Sequence, residues 1–144
     1  MAVWCTWPKL PEYVAEDIKP WSWVTGGAWT KRAQGIGFHW LGRSEPVLVY
    51  TRQGKTTTHR GEDLGNAYTS VPGAHSVKPA DWLRAWLMRW TDPGDLVVDL
   101  YAGMAPLAHA CLATGRRYIG AEIDEERHAR ACGLLASRAS ALLG

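Results

Sequence analysis

One stretch, residues 96–143, constrains the fold more than any other, because short apolar runs alternate there with helical patterns. The runs predict, in order, a strand, a helix, a strand and a helix over residues 96–100, 106–114, 117–122 and 125–143. The first run is a short apolar one, which is typical of a strand buried on both faces. Strands that alternate with helices at this spacing pair in parallel through right-handed crossovers. The stretch therefore predicts an α/β fold with a mostly parallel sheet flanked by helices.

Two acids and a glycine lie where these two strands end. Asp99 ends the first strand and leads into a tight turn at Ala102 and Gly103, and Glu122 ends the second strand about twenty residues further on. Ligands of open α/β sheets bind outside the carboxyl ends of the strands, and glycine lets the backbone approach a bound molecule. The helix after the turn favours a carboxylate at its N-terminus, and an acid such as Glu122 accepts hydrogen bonds from ribose hydroxyls. These features predict an adenosine-containing ligand; the alternative is an ordinary strand–helix–strand unit without one.

Three short motifs carry a resemblance to a known family. They are Asp99-Leu-Tyr-Ala-Gly103, Gly115-Arg-Arg-Tyr-Ile-Gly-Ala-Glu122 and His75-Ser-Val-Lys-Pro79. Their order and spacing are similar to those of the DNA amino-methyltransferases (adenine-N6 and cytosine-N4), in the permuted form whose cofactor-binding half lies at the C-terminus. The resemblance implies a shortened Rossmann-like fold that binds S-adenosylmethionine and acts on DNA. The residues that it assigns to the cofactor are His75, Ser76, Lys78, Pro79, Asp99, Tyr101, Ala102, Gly103, Glu122 and Asp124.

Two departures from the family pattern affect the implied function. The cofactor turn has Ala105, which is still a small residue, where the family prefers a second glycine. The family's catalytic motif, Asp or Asn followed by Pro-Pro and an aromatic residue, is absent from the sequence. By family topology the chain also lacks two strands, including the central one that carries this motif. The nearest match is Asp17-Ile-Lys-Pro-Trp21, which makes Asp17, Pro20 and Trp21 weak catalytic candidates.

We expect the whole chain, residues 1–144, to form one methyltransferase-like domain with three stretches. Residues 1–30 resemble the strands that follow the missing catalytic motif, with strands over 3–7 and 21–29, a helix over 8–17, and a bulge or close backbone approach at Gly26 and Gly27. Residues 31–75 form target-recognition-like loops around one strand at 46–51. Residues 76–144 form the cofactor-binding half, whose first helix begins at Pro79 and Asp81 and runs to Trp90.

A basic segment lies within the loop region. Positions 31 to 60 contain six basic residues and a single acid, Glu45. A surplus of this size suits contacts with phosphates, and the alternative is a solvated loop face. The nucleic-acid-binding candidates are Lys31, Arg32, Arg43, Arg52, Lys55 and Arg60.

Tryptophan is unusually frequent, with nine in the chain. Trp82, Trp86 and Trp90 recur at four-residue steps and therefore share one face of a helix. This stripe favours a core or oligomer contact over a base-stacking platform.

Composition and short sequence patterns indicate where in the cell the chain is located. The net charge is only +2, and no apolar run approaches the roughly 18–20 residues of a membrane helix. Pro8 and Lys9 interrupt the N-terminus before the apolar core of a signal peptide can form. The three cysteines are scattered, without a paired motif, which predicts reduced thiols, no metal site and a cytoplasmic location.

Three functions remain compatible with these observations. The first is S-adenosylmethionine-dependent amino-methylation of DNA by this chain or by a shortened relative of such enzymes. The second is a catalytically silent homologue that binds cofactor or DNA in a homo-oligomer or with a partner subunit, which the missing catalytic motif favours. The third is a protein that degrades or sequesters the cofactor as an anti-restriction device.

Overall fold

The computed structural model of the chain describes residues 1–16, 18–31, 43–52, 67–69 and 78–143. These residues belong to two compact units. The described part of the first unit lies before residue 70, and that of the second begins at residue 78.

The first unit contains a four-stranded sheet. Its strands are β1 (Ala2–Trp4), β2 (Trp21–Thr30), β3 (Ser44–Arg52) and β4 (Ala67–Thr69), with a 3-10 helix (Trp7–Lys9) and helix α1 (Leu10–Ala15) between the first two. The spatial order is β1-β3-β2-β4, with β3 antiparallel to both of its neighbours and β4 parallel to β2. No helical pattern separates β2 from β3 in the sequence, and consecutive strands without a crossover helix pair antiparallel. Among the described strands of this unit, only β2 and β4 pair in parallel.

Strand β3 forms the centre of this unit. Its residues from Val47 to Tyr50 are all buried, and the Tyr50 hydroxyl donates a hydrogen bond of 2.9 Å to the Tyr13 carbonyl of α1. A Cβ atom on Gly26 of β2 would lie 2.9 Å from the Val47 carbonyl oxygen, so only glycine fits there. The expected close backbone approach is confirmed at Gly26, and the irregularity in strand register lies slightly earlier, between Trp23 and Thr25.

Two elements of this unit differ from the sequence-based expectation. The first strand ends at Trp4 instead of residue 7, because a 3-10 helix begins at Trp7 and Pro8 has no backbone N–H to extend the ladder. The loop region also contains a second strand, β4, which has only three residues. A strand of that length shows no alternation in the sequence, and it exists because β2 supplies a backbone partner.

The second unit alternates helices and strands as expected. Its elements are α2 (Ala80–Trp90), β5 (Leu96–Asp99), α3 (Pro106–Thr114), β6 (Arg117–Gly120) and α4 (Glu125–Leu143). Strands β5 and β6 pair in parallel, with Asp99 opposite Gly120. Helix α3 packs against α2, β6 and α4. The strand–helix–strand–helix prediction and its parallel pairing are confirmed.

One face of the β5–β6 pair is covered and the other is exposed. Ala105, Ala108 and Ala131 form a small core against which Tyr118 of β6 packs. On the opposite face Leu96, Val98 and Ile119 are 46%, 55% and 57% exposed. The prediction that the first strand is buried on both faces is therefore wrong, because α3 and α4 cover only the Tyr118 face. We call Leu96, Val98 and Ile119 the exposed strand face.

The tryptophan stripe of α2 is largely internal. Trp82 is buried together with Leu83 and Leu87, and Trp86 and Trp90 meet edge to face with ring centroids 6.5 Å apart. This geometry confirms the core interpretation for Trp82.

A buried arginine joins the C-terminal ends of α2 and α3. Arg116 is only 9% exposed, and its guanidinium donates hydrogen bonds of 2.6 Å to the carbonyl oxygens of Thr91 and Thr114. Its Nε donates to the Thr91 hydroxyl at 3.1 Å. The ends of helices carry unpaired carbonyls and partial negative charge, so a cation there satisfies both requirements.

We predict that Arg116→Ala lowers the free energy of unfolding by about 2–4 kcal/mol, because it removes charge-assisted hydrogen bonds from a buried site. The neighbouring Arg117 is exposed and its side chain donates a hydrogen bond to the Gly94 carbonyl, which makes it a matched control. Arg117→Ala should change stability by about 0.5 kcal/mol or less. Urea denaturation of the two variants measures both values, and equal losses would contradict the special role of Arg116.

Candidate functional site

The loops after β5 and β6 are joined by hydrogen bonds that continue the strand ladder. The Ala121 N–H donates to the Asp99 carbonyl at 2.8 Å, and the Ala102 N–H donates to the Ala121 carbonyl at 2.9 Å. Beyond them, the Gly103 N–H donates to Oε2 of Glu122 at 2.7 Å. The two sequence features predicted to form one site therefore lie in direct contact at the carboxyl ends of the parallel strands.

Asp99 fixes the start of the turn. Its Oδ1 accepts a hydrogen bond of 3.2 Å from the Tyr101 N–H, and its Oδ2 accepts one of 3.3 Å from the Tyr118 hydroxyl. The Tyr101 ring is 90% exposed beside this turn. The carboxylate thus orders the backbone while the turn presents an aromatic ring to solvent.

The turn contains two residues in the left-handed backbone region. Gly103 has a φ of +55°, and no heavy atom lies within 4 Å of the position that a Cβ would take. Ala105 has a φ of +53° and is buried ahead of Pro106, which begins α3. Left-handed backbone costs an L-residue with a Cβ about 1–2 kcal/mol. The family's preference for glycine at this position has its physical reason in that conformation, which alanine adopts here in a packed setting.

Glu122 uses both of its carboxylate oxygens. Oε1 accepts from the Asp124 N–H at 3.1 Å, and Oε2 accepts from Gly103. The two N–H groups hold the pKa of Glu122 below its ordinary value, so the side chain is a carboxylate at neutral pH. Each carboxylate oxygen has two lone pairs, which leaves acceptor capacity for hydroxyl donors of a ligand.

Asp124 is the N-cap of α4. Its Oδ1 accepts a hydrogen bond of 2.9 Å from the Arg127 N–H, and its carbonyl accepts one of 2.9 Å from the His128 N–H. This capping fixes where α4 begins and therefore how the loop with Glu122 leaves β6.

The structure joins six of the ten expected cofactor residues by hydrogen bonds at the strand ends. The residues joined at the strand ends are Asp99, Tyr101, Ala102, Gly103, Glu122 and Asp124. Lys78 and Pro79 directly precede α2, and the Pro79 carbonyl accepts from the Leu83 N–H at 3.1 Å. His75 and Ser76 lie outside the described residues.

The basic candidates that are described fall at the two ends of β3. The Lys31 N–H donates to the Arg43 carbonyl at one end, and Arg52 is the last residue at the other. Nine residue steps separate the two arginines, about 30 Å along an extended strand. Lys31 forms an ion pair with Glu45 and lies 4.9 Å from the centre of the Trp29 ring. Arg32, Lys55 and Arg60 lie outside the described residues.

The weak catalytic candidates do not form a site among the described residues. Pro20 lies in an exposed turn and Trp21 begins β2 with an exposed side chain. Asp17 lies outside the described residues.

Two residues of the site were missed from the sequence, Tyr118 and Gly120. Tyr118 reaches Asp99 on the neighbouring strand, and it passes over Gly120 to do so. The signal that could have found them is the parallel register, since Asp99 pairs with Gly120 and Tyr118 lies two residues earlier on the same face.

Within the described part of the chain, no three His, Cys, Asp or Glu side chains are grouped as a metal ion would need. No helix among those residues combines the length and apolar character required to cross a bilayer. All three cysteines, Cys5, Cys111 and Cys132, are free thiols.

Comparison with known proteins gives matches over most of the chain. A family model described as DNA methylase matches residues 21–132. The type II methyltransferase M.HhaII of Haemophilus parahaemolyticus is 28% identical over 124 residues, which cover 77% of this chain and 54% of that protein. The chain therefore spans about half the length of this relative.

Solved structures agree on the fold. The complex of M1.HpyAVI with SAM superposes with a TM-score of 0.76 at 16% identity, over 91% of this chain and 71% of that one. The PvuII cytosine-N4-specific DNA methyltransferase gives 0.59 at 16% identity, over 74% of this chain and 49% of that one. The expected α/β architecture, a shortened Rossmann-like methyltransferase fold, is confirmed.

Proposed function

Because the chain belongs to the DNA methylase family, we propose that it provides the S-adenosylmethionine-binding half of a DNA amino-methyltransferase. The observation that carries this proposal is the link between Gly103 and Glu122 at the ends of β5 and β6. On this proposal the two compact units are parts of one methyltransferase domain that works in the cytoplasm, where the three free thiols stay reduced.

The residues at the strand ends fit the cofactor. Glu122 offers carboxylate lone pairs to ribose hydroxyls, and the open space at Gly103 admits a ligand against the backbone. Asp99 holds the turn, and the exposed Tyr101 ring lies beside it. When bound, S-adenosylmethionine supplies an electrophilic methyl group for direct displacement. The chain's own contribution is to bind and orient that group from the cofactor side.

We predict that Glu122→Gln weakens binding of S-adenosylmethionine by about tenfold or more, because hydrogen bonds to a charged acceptor are lost. The amide would also turn an NH2 group toward the N–H of Gly103 or Asp124. Isothermal titration calorimetry measures the affinity. Glu126→Gln is the matched control, since Glu126 is an exposed acid in the first turn of α4.

A pair of glycine variants separates binding from stability in the same titration. Gly94 and Gly103 both have positive φ angles, of 88° and 55°, and a Cβ on either meets nothing within 4 Å. Alanine at either position carries the strain of left-handed backbone, and only Gly103→Ala should also weaken cofactor binding. Equal affinity in wild type, Glu122→Gln and Gly103→Ala would rule out this site.

The DNA contact is proposed for the basic residues of the first unit. Arg43 and Arg52 stand about 30 Å apart, a distance that corresponds to about nine base pairs of duplex. Because residues 47–50 of β3 are buried, the proposed duplex contacts the two ends of the strand and not its length. Lys31 contributes less on this proposal, because Glu45 already neutralises its charge.

We predict that affinity for duplex DNA falls steeply with salt, and that Arg43→Ala and Arg52→Ala each reduce the slope of log K against log salt by about one. Arg130→Ala in α4 serves as the control with equal loss of charge. Fluorescence anisotropy between low and physiological salt gives the slopes. Binding that is flat in salt, or slopes unchanged in both variants, would contradict the proposal.

The target side of the reaction needs groups that the family's catalytic motif supplies, and this sequence lacks that motif. Amino-group methylation requires an acceptor for the amine hydrogens and an aromatic surface for the extruded base, both held close to the methyl group. We propose that polypeptide outside these 144 residues supplies them and covers the exposed strand face. The chain spans 54% of M.HhaII, so nearly half of that relative has no counterpart here.

We predict that the 144-residue chain alone does not transfer labelled methyl groups to mixed-sequence DNA. Transfer should appear when the part of M.HhaII outside the matched region is added. Val98→Lys, which places a charge in the exposed strand face, should abolish that complementation. Leu134→Lys on α4, where Leu134 is 48% exposed, is the matched control.

The other outcomes of this assay identify the competing functions. Sedimentation as a monomer with robust turnover by the chain alone would overturn the proposal. Binding of cofactor without transfer under every condition would favour the silent homologue. Sedimentation would then show whether that homologue forms a homo-oligomer. Cleaved cofactor among the products would favour the anti-restriction function.

A further inference from the structure

Tyr118 bridges the two strands of the second unit in an unusual way. Its ring lies across Gly120, two residues along the same strand. A Cβ on Gly120 would overlap with the Tyr118 hydroxyl oxygen and would stand 2.7 and 2.8 Å from the ring atoms Cε1 and Cζ. The ring therefore occupies the space that any larger residue at position 120 would fill.

The path over Gly120 leads to Asp99. Because Asp99 is the register partner of Gly120, a side chain that crosses Gly120 arrives at the Asp99 carboxylate. The Tyr118 hydroxyl donates to Oδ2 at 3.3 Å while Oδ1 accepts from the Tyr101 N–H at 3.2 Å. The carboxylate is thus held from both sides, by a side chain on β6 and by the turn after β5.

The surroundings keep the hydroxyl in its donor form and the ring in place. Burial, and then the charge of Asp99, raise the pKa of Tyr118 well above its ordinary value, so the phenol stays protonated. The ring packs against Ala105, Ala108 and Ala131, which restricts its rotamers.

We infer that Tyr118 is a positioning residue for the cofactor turn. Its hydroxyl fixes the rotation of the Asp99 carboxylate so that Oδ1 faces the Tyr101 N–H, and the turn that leads to Gly103 is thereby held open before ligand arrives. This contact also requires Gly120, since only glycine lets the ring reach Asp99. The inference rests on the proposed cofactor site.

The experiment uses three variants of the full chain. Tyr118→Phe removes the hydroxyl and keeps the ring, and Gly120→Ala forces the ring away from Asp99. Tyr13→Phe is the control, because it removes an exposed phenol hydroxyl from α1 in the first unit, outside the proposed cofactor site. A double variant, Tyr118→Phe with Gly120→Ala, tests whether the two changes act on one bond.

The first measurement needs no ligand. Amide hydrogen exchange at Tyr101 should be faster by about threefold or more in Tyr118→Phe and in Gly120→Ala, and unchanged in Tyr13→Phe. Because this readout is independent of the cofactor, it tests the positioning role even if the proposed function fails.

The second measurement is affinity for S-adenosylmethionine. It should fall about three- to tenfold in Tyr118→Phe, with little change in thermal stability, and the double variant should be no weaker than Gly120→Ala. Wild-type exchange at Tyr101 together with wild-type affinity in Tyr118→Phe would overturn the inference. If Gly120→Ala does not fold, Tyr118→Phe and its control decide alone. If wild type does not bind the cofactor, the proposed function fails and the exchange data still decide the role of Tyr118.

Discussion

The parallel pairing of β5 with β6 is the interaction on which the candidate site depends. It brings together two loops whose residues lie nineteen positions apart in sequence, as Gly103 and Glu122 do. Three hydrogen bonds then continue beyond the strands and end at the Glu122 carboxylate. A site of this kind is rigid because its first contacts are backbone contacts, and side chains only complete it.

The turn between β5 and α3 stores some strain to reach its shape. Gly103 and Ala105 both adopt left-handed backbone within three residues. A non-glycine residue persists in that region only when its surroundings determine the conformation, and Ala105 is surrounded by the small core with Ala108 and Ala131. Tyr118 packs against the same core, so the packing under α3 and α4 and the geometry of the turn depend on each other.

The exposed strand face is the surface that our proposal assigns to contact with further polypeptide. In a Rossmann-like sheet apolar residues on both faces are normally covered by helices. Here Val98 and Ile119 are residue types that are typical of buried strands, and yet both side chains are exposed. Our proposal explains both this exposure and the missing catalytic motif. The groups that act on the target base and the elements that cover this face then belong to the same further polypeptide.

The sequence alone determined the alternation of strands and helices in the second unit, the parallel pairing, and the two acids and the glycine at the strand ends. These follow from local patterns: apolar runs, helix caps and the spacing of a turn motif. Prediction from the sequence failed where a neighbouring element decides the outcome. The three-residue strand β4 forms because β2 pairs with it, and β5 is exposed on the face that α3 and α4 do not cover. Only the tertiary structure decided that Arg116 is a buried cation between two helix ends and that Tyr118 reaches Asp99 over Gly120. Both depend on which residues of distant segments become neighbours, a property that strand register sets and that no local pattern encodes.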